Sequence, residues 1–217
     1  MKLKRGVLAV SFLSLVCAIA VVPASAGILY DNTGPGSVGN GIDLAYQING
    51  GYAVTDSFTL SQNSPVSGAM FVLWFNPGDT ATSVDWAITT AAFGGTTEAS
   101  GTATDLPNTL ITSFYGDFDI DQESISIPDL PLSAGTYWFQ LSNAVTAGGN
   151  AAYWDESDGP SSAQQDYYGV YFQGTQDGSM AGSETFQIIF TPEPSSFLLL
   201  GTALLGLGAL ARCKLRA

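Results

Sequence analysis

The sequence predicts an all-β protein, an antiparallel β-sandwich of jelly-roll type, and three observations carry that expectation. Apolar and polar residues alternate with a period of two in short runs; clusters of Gly, Asn, Asp, Ser and Pro separate those runs; and no stretch between residues 27 and 191 carries a helical period. The abundance of Thr, Ser and Gly lowers helix propensity further.

In chain order, strands are expected at residues 52–60, 66–75, 83–90, 110–118, 124–127, 136–142, 167–172 and 184–190. Within them Val84, Trp86 and Ile88 share one face, as do Tyr137, Phe139 and Leu141, and Phe186, Ile188 and Phe190. Such alternation suits sheets with one face packed and one face wet. A length of 217 residues fits one medium-sized domain, and the lack of an internal repeat argues against a solenoid or propeller.

The charges are segregated. Lys2, Lys4 and Arg5 stand at one end and Arg212, Lys214 and Arg216 at the other, with no Lys or Arg between them, whereas residues 27–191 hold eighteen of the nineteen acidic residues. A surface of that sign repels phosphate backbones, so nucleic acid is excluded as a partner. The chain has no His, which removes Ser-His-Asp and Cys-His catalysis and every His-ligated metal centre. Its two cysteines, Cys17 and Cys213, lie in the apolar end segments, so no disulfide staples residues 27–191.

The ends read as export signals. The basic residues at 2, 4 and 5 precede an apolar run over 7–22, then Pro23 and the small residues Ala24-Ser25-Ala26, a signal-peptidase site with cleavage after Ala26. At the other end Pro192-Glu193-Pro194 leads through two serines into an apolar run and then the basic cluster Arg212, Lys214 and Arg216. Fifteen helical residues at about 1.5 Å each reach only about 22 Å against a hydrocarbon core of about 30 Å, so a membrane helix over about 196–211 is short, and the basic tail at 212–217 places its end in the cytoplasm.

Pro192, Glu193 and Pro194, the Leu/Gly-rich segment and the basic cluster together resemble the PEP-CTERM sorting signal of Gram-negative bacteria, recognised by membrane enzymes called exosortases. The resemblance divides the chain into a signal peptide (1–26), an acidic ectodomain (27–191) and a sorting segment (192–217). It implies an exosortase-type processing enzyme as partner, a membrane-anchored intermediate followed by a cell-surface or matrix address, and association with exopolysaccharide and biofilm. Segments 84–89, 134–138 and 152–156 also look like those of other PEP-CTERM ectodomains.

Two constellations stand out in the ectodomain. Asp117, Asp119, Asp121 and Glu123 alternate, which puts four carboxylates on one strand face. Crowded carboxylates suit calcium, the one cofactor that the sequence suggests, and an alternating solvent-facing edge strand is the competing reading. Asp155, Glu156 and Asp158 before Gly159-Pro160 read as a turn that could add ligands. Among the aromatic residues, Trp154, Tyr167 and Tyr168 sit amid Asp, Gly and Ser and are the candidates for an exposed glycan-stacking platform, the remaining tryptophans reading as core. Nothing singles out a carboxylate pair for glycoside hydrolysis, and no enzyme is expected. The expected function is a non-catalytic surface or matrix protein, with a carbohydrate-binding module, possible in a calcium-dependent form, as the alternative. N-terminal sequencing of the mature protein is expected to begin at Gly27; a start at Met1 would contradict the cleavage site.

Overall fold

A computed structural model describes residues 26–33, 45–173 and 182–191. Its strands are β1 (Gly27–Asp31), β2 (Ala45–Gln47), β3 (Tyr52–Leu60), β4 (Ser64–Phe75), β5 (Ala81–Ala91), β6 (Gly94–Ala103), β7 (Thr109–Phe114), β8 (Phe118–Leu132), β9 (Gly135–Thr146), β10 (Tyr153–Ser157), β11 (Gln164–Tyr167), β12 (Val170–Gln173), β13 (Ser183–Glu184) and β14 (Phe186–Phe190). The expected signal peptide up to residue 25, with Ala24, the Pro192-Glu193-Pro194 triplet, the 196–211 span and the basic cluster lie outside the described residues. Among the described residues no helix is long and apolar enough to cross a membrane.

The strands form two antiparallel sheets. One holds β12-β11-β3-β9-β5-β6 in order; the other is built on β4, which pairs with β8 and with β14 and β10, while β7 extends it beyond β8. The chain changes sheet between β2 and β3, β3 and β4, β4 and β5, β6 and β7, β8 and β9, β9 and β10, β10 and β11, and β12 and β13, which is the path of a sandwich rather than of two independent meanders.

Period two explains how this path buries a core. On β4, Val66, Ala69, Phe71, Leu73 and Phe75 pack between the sheets against Phe58, Phe139, Trp154 and Phe186. The intervening Val72 and Trp74 form a second cluster with Ile120 on the opposite face, roofed by Phe114, Phe118 and Tyr153. A central strand apolar on both faces is therefore covered on both. Gly68 sits at the bulge in the β4–β8 register, where a side chain would meet the Ile125 carbonyl.

The short strands β1, β2 and β10 fall outside the expected runs, and four further departures from the sequence expectation each have a local cause. β6 was not expected because both its faces are largely exposed, so its Gly, Thr, Ser and Ala residues carry no alternation. The run 110–118 is two strands, β7 and β8, joined at Tyr115-Gly116, and the run 167–172 is likewise β11 and β12 joined at Tyr168-Gly169. All four turn residues have positive φ (49° and 76°, 49° and 85°), the geometry of the two-residue hairpin turn whose twist matches the strands. Asn usually fills the first position; Tyr there hid both turns. Residues 184–190 divide at Thr185, whose N–H leaves the β4 ladder to donate to the Asp155 carbonyl at 2.7 Å.

Candidate functional site

The hairpin turns explain where the exposed aromatic residues come from. Tyr115 is 84% and Tyr168 75% exposed, because a two-residue turn projects its first side chain past the ends of both strands. The β7–β8 hairpin closes beyond the Phe75–Asp119 pair, and Tyr167 is registered with Tyr52 beside the Asn49–Gly51 turn. Phe190 lies at the other end, since β14 pairs Phe186 with Phe71 and Ile189 with Gly68. The two tyrosine tips thus occupy the end of the sandwich away from Phe190.

Tyr167 stacks on Tyr52 with centroids 4.2 Å apart and meets Tyr168 edge-on at 4.7 Å. The Tyr168 ring lies over Gly51, where a Cβ would collide with it. Two of the three expected platform residues are therefore brought together, joined by Tyr52, which the sequence reading had not singled out. Its place opposite Tyr167 was hidden with the turn at Tyr168.

Trp154 is a correction. It is fully buried, packs against Phe139 and Phe186 at 5.6 and 5.8 Å, and donates its indole N–H to the Thr185 carbonyl at 3.0 Å. Its acidic neighbours do not mark a surface turn: Asp155 and Glu156 belong to β10 and are buried too. Asp155 accepts from the Trp74 indole at 2.5 Å and from Thr185 Oγ1 at 2.6 Å.

The alternating carboxylates are also placed differently. Asp117 lies in the turn before β8, and Asp119, Asp121 and Glu123 share the face of Ile125 and Ile127, which is the inward one. Over Asp119–Gln122, β8 is flanked by both β4 and β7 and is no edge there. Asp119 accepts from the Gly78 N–H at 2.8 Å and from Ser113 Oγ at 2.7 Å, and these bonds hold it below the usual carboxylate range. Glu123 is buried, accepts one bond from the Asn108 N–H at 3.0 Å, and is pushed up to about 7 by that burial, with Asp121 adding to the effect. Among the described residues no group of three or more acidic side chains is arranged to hold a metal ion. The signal that could have revealed the inward face is the parity running unbroken from Asp121 to Ile127.

A further acidic cluster, which the sequence reading did not assemble, lies between the sheets. Asp56 on β3 points inward with Val54 and Phe58 and is fully buried. Its Oδ2 accepts from the Glu184 N–H and Ser161 Oγ, each at 2.7 Å, and its Oδ1 from the Ser57 N–H at 2.6 Å. Asn32 Nδ2 lies 2.6–3.1 Å from Asp56 Oδ2, Ser161 Oγ, Ser183 Oγ and the Glu184 carbonyl, tying β1, β3 and β13 together. Glu184 is registered opposite Glu156, so the two side chains share a face. It is fully buried, and among the described residues neither of its side-chain oxygens has a hydrogen-bond partner. Burial raises Asp56 to about 6, against its hydrogen bonds, and raises Glu184 well above its ordinary value, with Asp56, Glu156 and Asp155 adding to the rise.

Two surface hollows, of about 400 and 340 Å³, are lined by residues including Met70, Ile111 and Gln122 in one case and Leu29, Leu60 and Phe190 in the other; neither lining includes a carboxylate.

The PEP-CTERM protein-sorting motif matches residues 190–214, beginning at the final residue of β14. It is the motif of exported proteins sorted by an exosortase-type enzyme, by way of a membrane-anchored intermediate, to the cell surface. No curated protein matches the chain.

Trp154→Ala is expected to cost about 3–5 kcal/mol in denaturant unfolding, the loss of a large buried aromatic side chain, whereas Tyr168→Ala stays within about 1 kcal/mol of the parent. Equal losses would contradict the division between core and displayed aromatic residues.

Proposed function

We propose that the chain is a non-catalytic protein of the cell surface or extracellular matrix, associated with exopolysaccharide, with residues 27–191 as the exported cargo of the sorting segment. The observation that carries this reading is the junction: β14 ends at Phe190, where the sorting motif begins, so the sandwich is joined to its address without an intervening domain. A signal peptidase removes residues 1–26, the span at 196–211 holds the intermediate in the membrane with Arg212, Lys214 and Arg216 in the cytoplasm, and the exosortase acts near Pro192-Glu193-Pro194. Replacing residues 192–194 by alanine is expected to leave the protein in the membrane fraction with its basic tail intact by mass spectrometry, while the parent reaches the surface or matrix without that tail. Identical location and mass for the two would contradict the proposal.

A second reading, a carbohydrate-binding module, is favoured by the Tyr52–Tyr167–Tyr168 group. Planar rings with one face toward solvent stack on the apolar faces of sugar rings. An acidic domain without Lys or Arg suits an uncharged glycan better than an anionic one. In affinity electrophoresis through the producer's own polysaccharide, Tyr168→Ala is expected to lose at least about threefold in retardation, about 0.6 kcal/mol of binding. Undiminished retardation would clear the tyrosines of this role, and addition of calcium tests the calcium-dependent form separately.

A further inference from the structure

The carboxyl cluster between the sheets has no internal counter-ion available. No Lys, Arg or His occurs between Arg5 and Arg212, so no side chain within the sandwich can neutralise a buried carboxylate. Its members solve the problem unequally. Asp56 accepts bonds from the Glu184 and Ser57 amides, Ser161 and Asn32, an arrangement that stabilises an anion. Glu184 is equally buried, receives no donor on either oxygen from the described residues, and is next to that anion. An ionised carboxylate there has neither solvent nor donor nor cation, while the neutral acid avoids the charge altogether.

The same residues hold a weakly built part of the fold. β13 is two residues long, and among the described residues its ladder pairs Ser183 and Glu184 with Ser157 and Glu156. The Glu184 N–H goes to Asp56 across the sandwich, the Thr185 N–H to the Asp155 carbonyl, and the Asn32 N–H to the Phe186 carbonyl. If Glu184 becomes an anion, it faces Asp56 from β3 and both Glu156 and Asp155 from β10, with the Tyr30 hydroxyl of β1 3.2 Å from Asn32 Oδ1 on the same network. The three carboxyl groups in that surrounding carry the same sign when ionised, so each opposes the second charge.

We infer that the Asp56–Glu184 cluster is a proton-held clasp, in which a neutral Glu184 seats β13 and the end of β1 against β3, and loss of its proton releases them. The linkage has a definite sign. Glu184 holds its proton in the folded chain at pH values where the unfolded chain, with its ordinary value of 4.5, has released it. The stabilisation is therefore complete below that ordinary value and is lost as pH rises through the folded-state value. The clasp loosens toward alkaline pH, the reverse of ordinary acid denaturation. Because β14 follows directly and runs to the start of the sorting motif, the clasp governs how firmly the last strands of the sandwich are held.

Amide hydrogen exchange of the full-length chain, read at Asn32, Glu184 and Thr185, tests this. After correction for the intrinsic effect of pH on exchange, these amides are expected to exchange at least about tenfold faster at pH 8.5 than at pH 5.5, the factor that one pH unit of single-proton linkage supplies. Glu184→Gln, neutral at every pH, is expected to remove that acceleration. Should this variant fail to fold, Glu156→Gln, which takes away one opposing charge, is expected to reduce the acceleration. Three results would overturn the inference: no corrected acceleration in the parent, the same acceleration in both variants as in the parent, or slow exchange at pH 8.5 that depends on calcium and is abolished by a chelator, which would make the occupant a cation rather than a proton.

Discussion

Every carboxylate buried in this domain must be stabilised without a positive charge, and much of the structure follows from that constraint. Ion pairing is closed to Asp56, Asp79, Asp121, Glu123, Asp155, Glu156 and Glu184, because the chain keeps its basic residues outside residues 6–211. What remains is donation from amides, hydroxyls and indoles, or retention of the proton. Asp155 takes the first course, between the Trp74 indole and the Thr185 hydroxyl, and Asp56 does so more fully. Glu184 is left to the second. The polar knots are consequently where separate elements meet: Asp155 joins β10, β4 and the break between β13 and β14, and Asp56 joins the two sheets.

The apolar core supplies the complementary half. Phe58, Phe71, Phe139, Trp154 and Phe186 interlock between the sheets with centroid separations of 5.6 to 6.4 Å where they pair. Phe186 touches three of them, so β14, though short, is tied into the centre of the core as well as lying between β1 and β4 in its sheet. Directly before it, residues 183–185 depend on hydrogen bonds to acidic partners. The final strand is thus anchored firmly by its apolar residues and conditionally by its polar approach, immediately ahead of the sorting motif.

The sandwich was legible wherever the alternation of side chains was strong: 52–60 coincides with β3, and the cores of β4, β5 and β9 fall where Val, Trp, Ile and Phe alternate. It was illegible where alternation failed for a physical reason. β6 meets the core only through the small residues Ala99, Gly101 and Ala103, which carry no apolar period, and β10 is acidic on positions that the fold buries. The tyrosines at 115 and 168 occupy left-handed turn positions normally given to Asn or Gly, so two hairpins read as continuous strands. For the candidate residues the same logic applies. Tyr167 and Tyr168 reach solvent because a turn projects them, which their polar neighbours did signal. Trp154 lies among residues of the same polar character but on a strand that crosses the core, and only tertiary packing distinguishes the two cases. The inter-sheet cluster joins residues 32, 56, 161 and 183–184, a proximity that no local pattern encodes.

The sorting motif accounts for the segregation of charge: the basic residues belong to the expected export and topology signals, and the folded domain does without them. That division removes the usual partners of buried acids and leaves at least one, Glu184, to be held by a proton where an ordinary glutamate has lost it. Infrared difference spectroscopy in the carboxylic-acid C=O stretching region measures this directly. The account expects a protonated buried carboxyl band in the parent at pH 7 that diminishes in Glu184→Gln. A spectrum at pH 7 with no protonated carboxyl band, or one that the substitution leaves unchanged, would contradict it.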